Sequence, residues 1–370
     1  MDQNRARCPH RAAARRATST HTFSGRPVQL TPLISDWVAA ARRDARTSDC
    51  GLAALLIALL ALLTCYLPDG FFKLPISVHV MRNGVRDHSS PEFYDAMAVV
   101  QRLLMPSSRM ASCMNYGWAG ESSPAELAPT LAGHDERYCL QLYDAVVRAA
   151  IEQSFDASVQ AHVSSAQGGL LQGLDVVEVG CGRGGGAAFV YAHHRPRSLV
   201  GIDASVEQIR EACRRSGVKG LRFEVGRADA LPLADACADM LINVESMHTY
   251  PDPLAFLRQV ARVLRPGGIF VIADVLYPGH SMVMRPEYVA VAANLQPREH
   301  VGIHTGVARA LALATFYPRL FTQIPEWVHA LLGPAFESMI EEFSALPNSR
   351  RRRMFAEGQL KYQLGVYVRP

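Results

Sequence analysis

The densest concentration of chemistry-bearing residues is the run at 176–186, VVEVGCGRGGG, where Gly180, Gly182 and Gly184 stand two apart. Glycines spaced in this way let a backbone turn tightly and let a ligand approach it with no Cβ in the way. Gly180, Gly182 and Gly185 also satisfy the GxGxxG of dinucleotide folds, so the glycines alone leave a nicotinamide oxidoreductase open. Acidic neighbours narrow the choice. Glu178 lies beside the glycines, Asp203 closes the next apolar run 19 residues past Gly184, and Asp229 follows the third run in GRADALPL. A carboxylate at Asp203 can accept hydrogen bonds from both hydroxyls of a ribose, and one at Asp229 can accept from an adenine amino group. Several carboxylates around one loop would repel a pyrophosphate and attract a sulfonium that carries an ammonium group. The charge pattern therefore favours S-adenosylmethionine as cofactor.

These residues need a scaffold. Short apolar runs of strand length at 176–179, 198–202, 221–225, 240–244 and 269–273 alternate with helical segments that include 206–216 and 253–264. Strand and helix in alternation imply an α/β class with a doubly wound, mostly parallel sheet and the ligand across the carboxyl ends of the strands. Upstream, helical periodicity at 93–104 and 138–154, with NYGW at 115–118 between them, predicts an N-terminal helical cap or lid over 84–170. Downstream, the 75 residues at 275–349 separate the fifth strand from an antiparallel terminal strand pair at 359–369, more than a crossover requires. Helices at 287–295, 306–320 and 325–346 fit there, and their Ala, Leu, Phe, Tyr and Trp would either line an apolar pocket or complete the core.

The stretch from Val176 through Asp274 resembles the class I S-adenosylmethionine-dependent methyltransferases, with a Rossmann-like sheet. EVGCGRGGG looks like the first motif of that family, GIDAS the second and RADALPLAD the third. LINVESMHTYPDP looks like the segment after the fourth strand, and ARVLRPGGIFVIAD like the turn before the fifth and the strand itself. A narrower likeness rests on Glu245, His248, Tyr250 and Pro251, read as Glu-x-x-His-x-Tyr-Pro, with the triple glycine and the NYGW stretch. This set is similar to bacterial phthiotriol and phenolphthiotriol dimycocerosate methyltransferases and related lipid or polyketide O-methyltransferases. Sterol C-methyltransferases have one more residue between the Glu and the His, which moves this chain away from sterol chemistry.

The resemblance implies a methyltransferase domain at 171–370 carrying the helical insertion at 275–349. It makes Gly180, Gly182, Gly184, Asp203, Asp229 and Asn243 candidate cofactor contacts, with Glu178 close behind them. Methyl transfer is an in-line displacement at a carbon the sulfonium already activates, so the protein mainly supplies position and a dry cavity. A hydroxyl acceptor must also lose its proton, and His248 just past the fourth strand is the best-placed base, because an imidazole titrates near working pH. Glu245 either orients His248 or satisfies the start of the helix at Pro253. Tyr116 and Trp118, with Asn115, belong to a lid or to the core, and Tyr250 stands on the acceptor side. The implied activity is O-methylation of a lipid, polyketide or terpenoid-like molecule, with C-methylation of a sterol-, terpenoid- or quinone-like acceptor as the alternative. A nicotinamide-dependent oxidoreductase is the alternative from another class.

Composition sets the remaining bounds. The 370 residues are 49% hydrophobic and 19% charged, which excludes a disordered or collagen-like chain. The net charge of +4 comes from 35 Arg and 3 Lys against 34 acidic residues; nine of the arginines crowd the first 46 residues and the rest are scattered, so no nucleic-acid surface is implied. Eight cysteines without a CxxC pair argue against a disulfide scaffold or a zinc site and fit a reducing compartment. Cys181 needs only to be small, His193 and His194 read as a solvated helix end, and the four arginines at 350–353 read as a solvated face. Residues 1–49 form an Arg-rich leader expected to be disordered. The charge-free run at 50–67, CGLAALLIALLALLTCYL, is just long enough to cross a hydrocarbon core. Three arginines at 42, 43 and 46 would place the remainder across the membrane, away from a cofactor made in the cytosol. An in-plane anchor, a reversed orientation, a later start at Met81 or Met97, or a transit peptide resolves that conflict, and the expectation is a cytoplasmic protein with membrane association through 50–67 left open.

Overall fold

A computed structural model describes residues 90–104, 111–120, 134–154, 169–277, 285–315 and 334–370, with isolated positions at 131 and 318. The leader at 1–49 and the apolar run at 50–67 lie outside the described residues. Among those described, no helix is long and apolar enough to cross a membrane.

In chain order the elements are α1 (Pro91–Leu104), α2 (Arg137–Ser154), β1 (Asp175–Val179), α3 (Gly185–His194), β2 (Ser198–Asp203), α4 (Val206–Arg215), β3 (Leu221–Val225), β4 (Ala238–Val244), α5 (Pro253–Val263), β5 (Leu264–Leu276), α6 (Pro286–Ala293), β6 (Gln296–Gly302), α7 (His304–Leu313), α8 (Pro334–Phe343), α9 (Arg350–Ala356) and β7 (Lys361–Val368). The strands form one sheet in the order β3-β2-β1-β4-β5-β7-β6. β1 to β5 run parallel, and β7 enters antiparallel between β5 and β6. This is the Rossmann-like arrangement that the alternating pattern predicts.

Period-two side-chain alternation divides the sheet into two packed faces. Val176, Leu199, Met240 and Val271 face α2, α3 and α7, whereas Val177, Val200, Leu241 and Phe270 face α5 and α6. Helix α2 docks because Leu142, Val146 and Ala150 recur at helical spacing and are fully buried. Local chemistry sets two helix starts on the ligand side. The Ser205 hydroxyl accepts from the Gln208 amide at 3.1 Å to cap α4, and an Asp252 carboxylate oxygen accepts from the Ala255 amide at 2.9 Å to cap α5, ahead of Pro253.

The predicted strands recur within a few residues, and α1, α2, α4 and α5 fall where the periodicity puts them. The stretch at 275–349 departs from an all-helical insertion. Its residues Gln296–Gly302 form the edge strand β6, which pairs with β7 and supplies the terminal antiparallel partner that the local reading sought within 359–369. The segment QPREHVG carries no apolar alternation, since an edge strand leaves most of its side chains exposed, and Pro297 sits where the register shifts.

Candidate active site

The strand order reverses between β1 and β4, which opens a crevice at the carboxyl ends of the strands. The cleft there, counted with the open solvent at its mouth, spans about 1320 Å³. On one side its floor is the glycine loop. The Gly180 amide donates to Ile202 O at 2.7 Å, and the Gly182 amide donates to an Asp203 carboxylate oxygen at 2.9 Å. Gly180 is left-handed at φ 76°, and a Cβ there would lie 1.8 Å from Ser246 Oγ, so the loop can seat against the turn after β4 only with glycine at this position. Asp203 closes β2 on the cleft wall, and its other oxygen accepts from the Ser205 amide at 2.9 Å. Burial pushes the Asp203 carboxyl above its ordinary pKa, against the pull of these two amides. Asp229 also lines the cleft, paired with Arg227 at 2.9 and 2.5 Å, and that guanidinium holds its carboxyl below the usual carboxylate range.

Three expected cofactor contacts lie behind the wall instead of on it. Asn243 is fully buried and spends its amide on the scaffold: its nitrogen donates to Val179 O at 2.9 Å and Tyr250 Oη at 3.0 Å, and its oxygen accepts from the Met247 amide at 3.2 Å. Glu178, on β1, accepts from the Tyr143 hydroxyl at 2.6 Å, and burial pushes its carboxyl up to about 8. Gly184 is the left-handed residue that starts α3, and a Cβ there would strike the Phe223 ring.

On the opposite side, the turn after β4 brings His248 and Tyr250 to the cleft. His248 Nδ1 stands 2.6 Å from Asp274 Oδ1, and the His248 amide donates to Asp274 Oδ2 at 3.1 Å. Asp274 is fully buried near the end of β5. Burial opposes a charge on His248, but the Asp274 carboxylate outweighs it and raises the imidazole pKa above its ordinary value. With Nδ1 donating to Asp274, Nε2 is left as the lone-pair nitrogen. In the sequence Asp274 is only the last letter of IFVIAD; an acidic residue ending an otherwise apolar inner strand is the signal that points to it. Tyr250 Oη accepts from the Ser246 hydroxyl at 2.7 Å, and its ring packs on Phe256.

Glu245 does neither of the two things expected of it. Its φ of 45° swings the side chain away from both, and one carboxylate oxygen accepts from the Tyr116 amide at 2.7 Å and the Tyr362 hydroxyl at 2.9 Å. Burial pushes this carboxyl up to about 8. The helix start it might have satisfied belongs to Asp252. Glu245 thus ties the stretch 111–120 to the sheet, and the same stretch is tied to α2 by Glu136, which accepts from the Ser112 and Cys113 amides at 2.8 and 2.9 Å. Burial alternates along this extended segment. Tyr116 reaches the cleft, while Trp118 packs against Gly120 and Gly306 away from it. The arginines at 350–353 also divide. Arg350 and Arg353 are exposed, but Arg351 turns inward to donate to Tyr116 Oη at 2.8 Å and lies over the Tyr277 ring at 5.5 Å. A run of four like charges hides which member of the helix faces inward.

A family model described as a methyltransferase domain matches residues 177–272. The chain is similar to a phthiotriol/phenolphthiotriol dimycocerosates methyltransferase of Mycobacterium leprae, 33% identical over 256 residues that cover 69% of this chain and 85% of that protein. The chain belongs to the class I S-adenosylmethionine-dependent methyltransferases. It is also similar to a fatty-acid O-methyltransferase of Mycolicibacterium smegmatis, 37% identical over 161 residues, 44% of this chain and 52% of that one. Against that relative and a probable dimycocerosates methyltransferase 2 of Mycobacterium ulcerans, this methyltransferase spans about half of each protein's length, 52% and 55%. Among solved structures, the [4+2]-cyclase SpnF superposes with a TM-score of 0.53 at 16% identity, over 75% of this chain and 97% of that one, a likeness in fold alone. S-adenosylmethionine is the cofactor of this methyltransferase family, and the nicotinamide alternative has no support.

Proposed function

We propose that this methyltransferase methylates a hydroxyl group of a lipophilic acceptor, with His248 as the base. The observation that carries the reading is the 2.6 Å contact between His248 Nδ1 and the sealed carboxylate of Asp274, beside the cleft. The donor set of the cleft fits a cationic, adenosine-bearing cofactor. Gly180 and Gly182 present bare backbone, and Asp203 offers a carboxylate at the end of β2 where ribose hydroxyls are held in such folds. Asp203 would hold the ribose, Asp229 the adenine amino group, and the glycine loop the amino-acid end. When bound, S-adenosylmethionine supplies the methyl group as an electrophilic carbon on sulfur.

The acceptor's proton passes to His248 Nε2, and Asp274 stabilises the imidazolium by its bond to Nδ1–H. Asp274 is therefore a positioning residue. Glu245 holds Tyr116 over the cleft, and Tyr94, Tyr116 and Phe343 give it apolar surface suited to a lipid-like chain. The relatives named for fatty acids and dimycocerosates support a lipophilic acceptor. The test is product analysis with labelled S-adenosylmethionine and hydroxylated lipid acceptors. Loss of an exchangeable hydroxyl in the product's NMR spectrum is expected, and a new C-methyl carbon would refute the assignment.

A second reading has one observation of its own. Arg351, turned into the cleft, could pair with a carboxylate, and one relative is named for methylating fatty acids. A carboxylate needs no base, so ester formation that survives His248→Ala but fails in Arg351→Ala would select this reading over the first.

A further inference from the structure

His193 and His194 close α3 at the end remote from the glycine loop, outside the cleft. They face Asp144, in the middle of α2. His194 Nε2 lies 3.3 Å from Asp144 Oδ1, and His193 Nε2 lies 3.9 Å from the same oxygen. The side chains of His194 and Asp144 are 1% and 2% exposed, so this helix end is not the solvated pair its sequence suggests; only His193, at 31%, reaches water. Despite the short separation, Asp144 Oδ1 and His194 Nε2 have no hydrogen bond of ordinary geometry among the described residues. Sealed polar atoms without partners are rare in folded proteins and call for a partner such as an ordered water or an ion.

The three ligand atoms lie within 4.8 Å of one another. Two imidazoles and one carboxylate with a fourth position left over form a common donor set for zinc. The surroundings suit that use. Arg148 donates to the other Asp144 oxygen at 2.8 Å, which orients the carboxylate and leaves Oδ1 for an ion. Phe189 stacks on the His193 ring at 5.1 Å, and the Leu171 amide donates to His194 O at 2.9 Å, so both histidines are positioned.

We propose that Asp144, His193 and His194 bind one divalent transition-metal ion, zinc foremost, as a staple between α2 and α3. No electron moves and no bond is made beyond coordination; any proton on the imidazoles is released on binding. The staple bears on the cleft through α2, where Tyr143, the neighbour of Asp144, donates to Glu178, and through α3, whose Gly186 lines the cleft.

The experiment uses the full-length, untagged, chelator-stripped chain and zinc chloride alone. Equilibrium dialysis is expected to leave one zinc per chain, and cobalt(II) in its place should give the intense visible bands of four-coordinate geometry. His193→Ala, a half-exposed position that the fold should tolerate, is expected to weaken zinc binding about tenfold or more and to lose the rise in melting temperature that zinc gives the parent. A histidine–aspartate contact without metal predicts the opposite: a stripped parent that takes up no zinc, or a variant that binds it as well as the parent, overturns the site.

Discussion

Two carboxyl groups, Glu178 sealed behind the cleft and Glu245 at its edge, govern how single residues here respond to pH. Burial pushes Glu178 and Glu245 up to about 8 from the ordinary 4.5. Between those values the folded chain holds protons that the unfolded chain has released, so stability falls as pH rises through that window. Glu178→Gln keeps an acceptor for the Tyr143 hydroxyl and removes the ionisable group. We expect it to flatten the decline in melting temperature between about pH 5 and pH 8, and an unaltered slope would show that Glu178 is not its source. His248 has the same sign. Its raised pKa makes its stabilisation complete below the unfolded imidazole value and lost as pH rises through the folded one. As a base it is active only when neutral, so turnover should rise with pH through a pKa above that of a free imidazole, and Asp274→Asn should move that pKa down. His248→Ala should cut kcat by about 10²–10⁴ while S-adenosylhomocysteine affinity, by calorimetry, stays near the parent's. Asp203→Ala should do the reverse and abolish cofactor binding; unchanged affinity would remove Asp203 from the ribose site.

At the scale of elements, the turn between β4 and α5 has to deliver His248 and Tyr250 while starting a helix. Asp252 does the second job, so Asp252→Ala should destabilise the chain by about 1 kcal/mol, read as a lower melting temperature with the His248 pH profile unshifted. A larger loss, with a displaced profile, would mean that the cap also sets the turn. The elements were unevenly legible. β1, β2, β4 and β5 announced themselves because inner strands buried on both faces are continuous apolar runs, β3 at the sheet edge by its apolar–polar alternation, and α2 because its apolar residues recur with helical period. β6 was not legible, since an edge strand with exposed side chains carries no such pattern and takes its identity from the hydrogen bonds of β7.

For the whole molecule the decisive element is the last one. β7 pairs with both β5 and β6, and Tyr362, Val366 and Tyr367 are fully buried. Deleting 361–370 would strip two strands of their partner and empty the core at that end. We expect no cooperative thermal transition from such a chain, and a sharp transition near the parent's would show that the sheet closes without it. The same strand contributes the Tyr362 hydroxyl to Glu245, so the end of the chain also bears on the cleft.

What the amino-acid sequence determined alone was whatever repeats locally: the glycine loop, the acidic residues closing β2 and following β3, the strand and helix periods, and with them the sheet and its ligand edge. What tertiary structure decided was which side chains meet. Asp274 joins His248 across 26 positions, Glu245 reaches Tyr116 across 129, and Arg351 reaches Tyr116 across 235. Asn243 and Glu178 turned out to serve the scaffold behind the cleft for the same reason. Periodicity records which way each residue faces within its own element, whereas a partner is chosen by how the elements pack, and no short-range pattern encodes that.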